Sequence, residues 1–104
     1  MSAETANSAR GEAAIHVAGR EVLLRPTFDA LVRAEEELGP LFALIERAGD
    51  SQLRLTDIAT LFWFCQSPQA CVTREEMGEA LLALGLANAA KPLKILLGQI
   101  LRGQ

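Results

Sequence analysis

The chain has 104 residues and a mass of 11.2 kDa; half of it is hydrophobic, 22% is charged, and the mean hydropathy is +0.20. That length suits one domain, and the composition excludes disorder for most of it. Ten basic and 13 acidic residues give a net charge of −3, which argues against nucleic acid held by its phosphates, and no apolar run reaches the roughly 18 residues of a membrane span.

Residues 1–11 are small and polar and are expected to form a disordered N-terminal tail ahead of a single domain, 12–104. Residues 12–25 predict a β-hairpin turning at Ala18-Gly19. That turn pairs Val17 with Arg20, His16 with Glu21, Ile15 with Val22, Ala14 with Leu23, Ala13 with Leu24 and Glu12 with Arg25. Apolar residues then share one face and opposite charges meet on the other, so two patterns support one register. Pro26 stops the strand. Thr27 is placed to cap a helix from Phe28 to Leu38 whose apolar side is Phe28, Leu31, Val32 and Leu38. A second helix is expected from Pro40 to about Ala48, closed by Gly49, with Leu41, Phe42, Leu44 and Ile45 as core residues.

Thr56 is the expected cap of a third helix running from Asp57 to about Ser67. Its middle, Ile58 to Cys65, is apolar nearly all round, the pattern of a helix enclosed by others or presenting a second face to a partner. Thr73 and Glu76 form a capping box for a fourth helix to about Leu84, ended by Gly85. A last helix is expected from near Pro92 through Ile100 and Leu101. The fold class is α+β, mostly α: a short N-terminal β-hairpin followed by about five helices.

Little in this chain can carry catalysis or a cofactor. Cys65 and Cys71 are spaced too widely for a zinc knuckle, and His16 is the only histidine, so no metal and no cofactor are expected. His16 has no nucleophile beside it in sequence and reads as the cross-strand partner of Glu21. Glu36 and Glu37 read as solvated. Glu35 falls between Leu31 and Leu38 on the apolar side, which predicts a structural carboxylate, at least half buried, bonded to Arg25 or to the N–H groups around Leu41 and Phe42. The segment 73–86 has the outline of a helix-turn-helix but only one basic residue, Arg74, too few for a recognition helix. No catalytic residue is identified, and the chain is read as not an enzyme.

Candidate partner-binding residues are Trp63, Leu82 and Ile95, which lie off the main apolar stripes of their helices, and Lys91 and Lys94. Exposed together, the three apolar residues would make a partner site; buried together, a wider core. Residues 86–104 hold Lys91, Lys94 and Arg102 and no acid, so this end is charged oppositely to the rest of the chain.

The order of these features resembles a known family. Gly11-Glu12 opens the hairpin, Gly19-Arg20 stands at its turn, and Leu24-Arg25-Pro26-Thr27-Phe28-Asp29-Ala30-Leu31 is followed by Glu35, Leu38-Gly39, Leu55, Asp57 and Thr73-Arg74-Glu75-Glu76. Over roughly residues 11–86 this is similar to the gene transfer agent family and to phage tail tube or tail assembly chaperone proteins. The resemblance implies a tail assembly role: a chaperone that holds the tape-measure protein soluble until tail tube subunits polymerise around it, with the tail tube protein as a further partner. It leaves open a homo-oligomer, a structural part of the tail tube, and a small cytoplasmic regulatory adaptor. The expected location is the cytoplasm of the particle-producing bacterium or the assembled tail, with no nucleic-acid or membrane partner.

Overall fold

A computed structural model describes residues 12–103, so the expected disordered tail 1–11 lies outside the described residues. The order is β1 (Ala13–Val17), β2 (Arg20–Leu24), α1 (Phe28–Leu38), α2 (Leu41–Gly49), α3 (Leu55–Cys65), α4 (Arg74–Leu84) and α5 (Leu86–Arg102). This is the expected α+β architecture, mostly helical.

The hairpin register is the predicted one, from Ala13 opposite Leu24 to Val17 opposite Arg20. Ala18 and Gly19 both take positive φ, 52° and 81°, as a primed two-residue turn requires. Ala13, Ile15, Val17, Val22 and Leu24 are buried on one face. At the open end of the ladder the Arg25 guanidinium reaches the Glu12 carboxylate at 3.1 Å. One long-range feature has no local signal. The Leu23 carbonyl accepts the Ser67 N–H, the Arg25 N–H donates to the Cys65 carbonyl, and Leu24 bridges Gln66. The chain leaving α3 therefore runs along the outer edge of β2, and it buries Leu23 on the face opposite the core.

α3 is the central helix. Ile58, Leu61, Phe62 and Cys65 are buried, and α1 and α4 pack on either side of it. Its start corrects the expected one. Thr56 lies inside the helix, and the cap comes from Asp57, whose carboxylate accepts the Arg54 N–H at 2.9 Å and also holds Arg47 of α2 at 2.9 Å. A carboxylate there satisfies an orphan donor, favours the helix dipole and ties two helices together. The helix also ends at Cys65, two residues before the expected stop, because Gln66 turns extended to join β2.

α1 spans the predicted residues, with the Thr27 hydroxyl accepting the Ala30 N–H at 3.2 Å. Its buried side differs from the expected one. Ala30 and Ala34, one turn apart, face the core, with Leu31 and Leu38 partly buried beside them, while Phe28 and Val32 are exposed. Two small residues allow α1 to lie close to α3, and that approach sets the helix rotation. In α2 Leu44 is buried and Phe42 is not, and Pro40 precedes the helix as its cap residue instead of opening it.

The capping box of α4 is as predicted: the Thr73 hydroxyl accepts the Glu76 N–H at 3.0 Å and the Glu76 carboxylate accepts the Thr73 N–H at 2.9 Å. The chain then turns by 118° into α5, with Gly85 at φ 89°. α5 begins six residues before Pro92, not at it. Pro92 is buried within the helix, where its ring supplies apolar contact and its missing N–H leaves the Asn88 carbonyl without the usual helical donor. Among the described residues, no single helix is long and apolar enough to cross a membrane.

Candidate functional site

Two regions hold chemistry that the packing of the core does not use. The first lies on α1 and α2. Phe28 is 85% exposed and Phe42 is 76% exposed, and Val32 stands one turn after Phe28 on the outer side of α1. Both phenylalanines occupy the first turn of their helices. Between them Glu35 joins the two helices. Its carboxylate accepts the Leu41 N–H at 3.0 Å, one of the two groups expected to hold it. Its burial was expected and is not found: Glu35 is exposed. The bond forms at the rim, because the donor opens a helix at the surface and carries no apolar cover.

The second region surrounds Trp63. Its indole N–H donates to the Val72 carbonyl at 2.7 Å, and the Gln66 amide brackets the same residue, donating to that carbonyl at 3.0 Å and accepting the Val72 N–H at 2.8 Å. The Trp63 and Phe64 rings meet edge to face with centroids 5.0 Å apart. The Arg74 guanidinium lies 4.5 Å from the Trp63 centroid and 5.2 Å from that of Phe64, and it pairs through both outer nitrogens with the Glu37 carboxylate. This links α1, α3 and α4. Glu37 reads as an ordinary solvated residue in sequence, and Arg74 stands 37 positions away, so no local pattern could pair them.

The Arg74 hydrogen bonds hold the Glu37 carboxyl below its ordinary value of 4.5. A lowered native value means that the pair contributes stability above about pH 4.5, and that this contribution fades as pH falls through the native value. Glu37→Gln is therefore expected to flatten the acid limb of the stability–pH curve by lowering stability slightly at neutral pH, with the two proteins converging at low pH. Urea melts between pH 3 and 7, on the order of one per pH unit, would measure it.

Trp63, Leu82 and Ile95 stand differently from one another. Trp63 is tethered and partly covered, Leu82 is 63% exposed on α4, and Ile95 is partly buried on α5. Lys91 and Lys94 are exposed. Cys65 is buried and Cys71 exposed, both as free thiols. Burial pushes the Cys65 thiol up to about 12, so little thiolate forms at neutral pH. One thiol, Cys71, is expected to react with a chromogenic disulfide reagent in the native chain and two in denaturant; fast native labelling of both would contradict this burial. Among the described residues, no three His, Cys, Asp or Glu side chains converge in a way that would hold a metal ion.

The family model described as phage tail tube protein, GTA-gp10, matches residues 10–103. This chain belongs to that family. The match extends past residue 86, so α5 is part of the family domain, although it carries no motif legible in this sequence alone. No match was found among curated proteins or among solved structures. The chain is thus a phage tail protein of the gene transfer agent kind.

Proposed function

We propose that this protein is a tail assembly chaperone that binds the tape-measure protein before the tail tube polymerises. The observation that carries the reading is the exposure of Phe28 and Phe42, 85% and 76%, the highest of the large apolar side chains among the described residues. Large exposed aromatic groups are the usual anchors of contact surfaces, and a client long enough to set a tail's length must be kept soluble until it is enclosed. An apolar stripe of a client helix would lie across α1 and α2, driven by area burial of about 25 cal/mol per Å² less the cost of ordering the client.

A second reading is favoured by the family description itself: a subunit of the tail tube. Tube walls need inter-subunit contacts that repeat around a ring and along an axis. Two measurements separate the readings. Co-expression with the tape-measure protein should keep that client in the soluble fraction as a defined complex, and purified particles should hold far fewer copies of this chain than of the tube subunit. Ring-forming copy numbers in the particle, with no effect on client solubility, would overturn the chaperone reading in favour of the tube.

A further inference from the structure

β1 has an edge that nothing in the described fold covers. The two-residue turn makes Val17 and Arg20 a hydrogen-bonded pair, so in the alternating ladder Ala14–Leu23 and His16–Glu21 are the pairs whose backbone groups point outward. The other edge confirms this parity, since the outward Leu23 carbonyl accepts Ser67 N–H. On β1 the outward groups are the N–H and C=O of Ala14 and His16, and none of them has a partner among the described residues. They border a groove between β1 and the pair α4–α5, floored by small or apolar side chains, Ala80, Ala83, Leu84 and Pro92, with Lys91 and Asn88 at the rim. Four free backbone groups beside an apolar trough are what an added strand requires.

We infer that this groove binds an extended peptide segment of a tail partner as a third strand on β1, with small apolar side chains facing Ala80 and Ala83 and a carboxylate near Lys91. The charge of the groove selects that carboxylate. Lys91 and His16 line it and no acid does; Glu21 stands on the far strand and Glu12 is engaged by Arg25. A second copy of the chain does not fit as occupant. Its β1, added antiparallel to continue the sheet, would carry its own α4 and α5 to the face where the first copy's α4 and α5 already pack on β1. A segment arriving without helices meets no such obstacle. The site is separate from Phe28 and Phe42 and does not depend on the chaperone reading.

Amide exchange on the ¹⁵N-labelled full chain tests it, with the blocked heptapeptide Glu-Val-Thr-Val-Thr-Val-Glu as probe and a version with lysine at both ends as charge control. In the free chain the Ala14 and His16 amides should exchange much faster than those of Ile15 and Val17. The acidic probe should slow them by about tenfold or more, and the lysine version should do so markedly less. Ala14→Pro removes an outward N–H without touching the β1–β2 ladder and should abolish the protection. Should that variant fail to fold, Ala83→Trp, at an exposed position, fills the trough and should have the same effect. Equal protection of all four amides in the free chain, no response to the acidic probe, an equal response to the lysine probe, or undiminished binding by the variants would each overturn the inference.

Discussion

Phe62→Ala is expected to lower the unfolding free energy by about 3–5 kcal/mol, the range for truncating a buried aromatic residue to alanine. Phe62 is 0% exposed, the largest side chain buried so completely, and it sits on the helix that α1 and α4 both pack against. A void there is bounded by side chains from several elements, and none of them can move inward without losing contacts of its own. Against a total of roughly 5–15 kcal/mol for a domain of this kind, the loss is a third or more of the stability over most of that range. Urea denaturation followed by circular dichroism would show a lower midpoint with an unchanged slope. Phe64→Ala is the control, since Phe64 is only partly buried and contributes chiefly its contact with Trp63 and Arg74. If the Phe62 variant lost no more than the Phe64 variant, α3 would not be the centre of the core.

The enclosure of α3 is legible in its sequence, because a helix apolar on nearly every side has no face to give to water. The hairpin register is legible for a related reason: the apolar and the charged pairs each specify it, and a slip by one residue breaks both. The caps Thr27 and Thr73 are local devices that act within three residues, so local patterns reveal them. Thr56 failed as a cap because Asp57, one residue later, is a stronger acceptor and has Arg47 to hold it in place. Pro92 misled for a physical reason as well. Its burial in α5 offsets the hydrogen bond it removes, and no local pattern registers tertiary burial.

The candidate sites were less legible than the fold. On α1 the stripe of Phe28, Leu31, Val32 and Leu38 has the amphipathic period, but the fully buried residues are two alanines on the flank of that stripe, beside Leu31 and Leu38. Periodicity identifies an apolar face; it does not distinguish a face for the core from a face for a partner, and in α1 Phe28 and Val32 were left outside while Leu31 and Leu38 pack partly against the core. The open edge of β1 is a consequence of topology. It exists because the chain after α3 returns to β2 and not to β1, a choice made by residues 66 and 67 more than forty positions from the strand they join. Arg74 and Glu37 illustrate the same limit, since each looks unremarkable until the fold brings α1 and α4 to the same end of α3.

The largest functional effect is expected from the double variant Phe28→Asp, Phe42→Asp. Both side chains are mostly in solvent, so their removal opens no cavity. Both also lie in the first turn of a helix, where a carboxylate meets unpaired N–H groups and the positive end of the helix dipole. α2 has no acid in its first turn and should accept one readily. Stability should therefore stay within about 0.5 kcal/mol of the parent, or rise. Client binding should behave in the opposite way. An aromatic side chain buries roughly 150–250 Å² when covered, worth about 4–6 kcal/mol before ordering costs. Losing two such anchors, and facing an apolar client with two added charges, should weaken the complex by well over tenfold even after those costs are deducted. The readouts are the thermal midpoint of the variant alone and the fraction of tape-measure protein kept soluble on co-expression. An unchanged midpoint with a precipitated client is the expected pair of results. An unchanged midpoint with the client still soluble would show that α1 and α2 do not carry the contact, and the chaperone reading would lose the observation on which it stands.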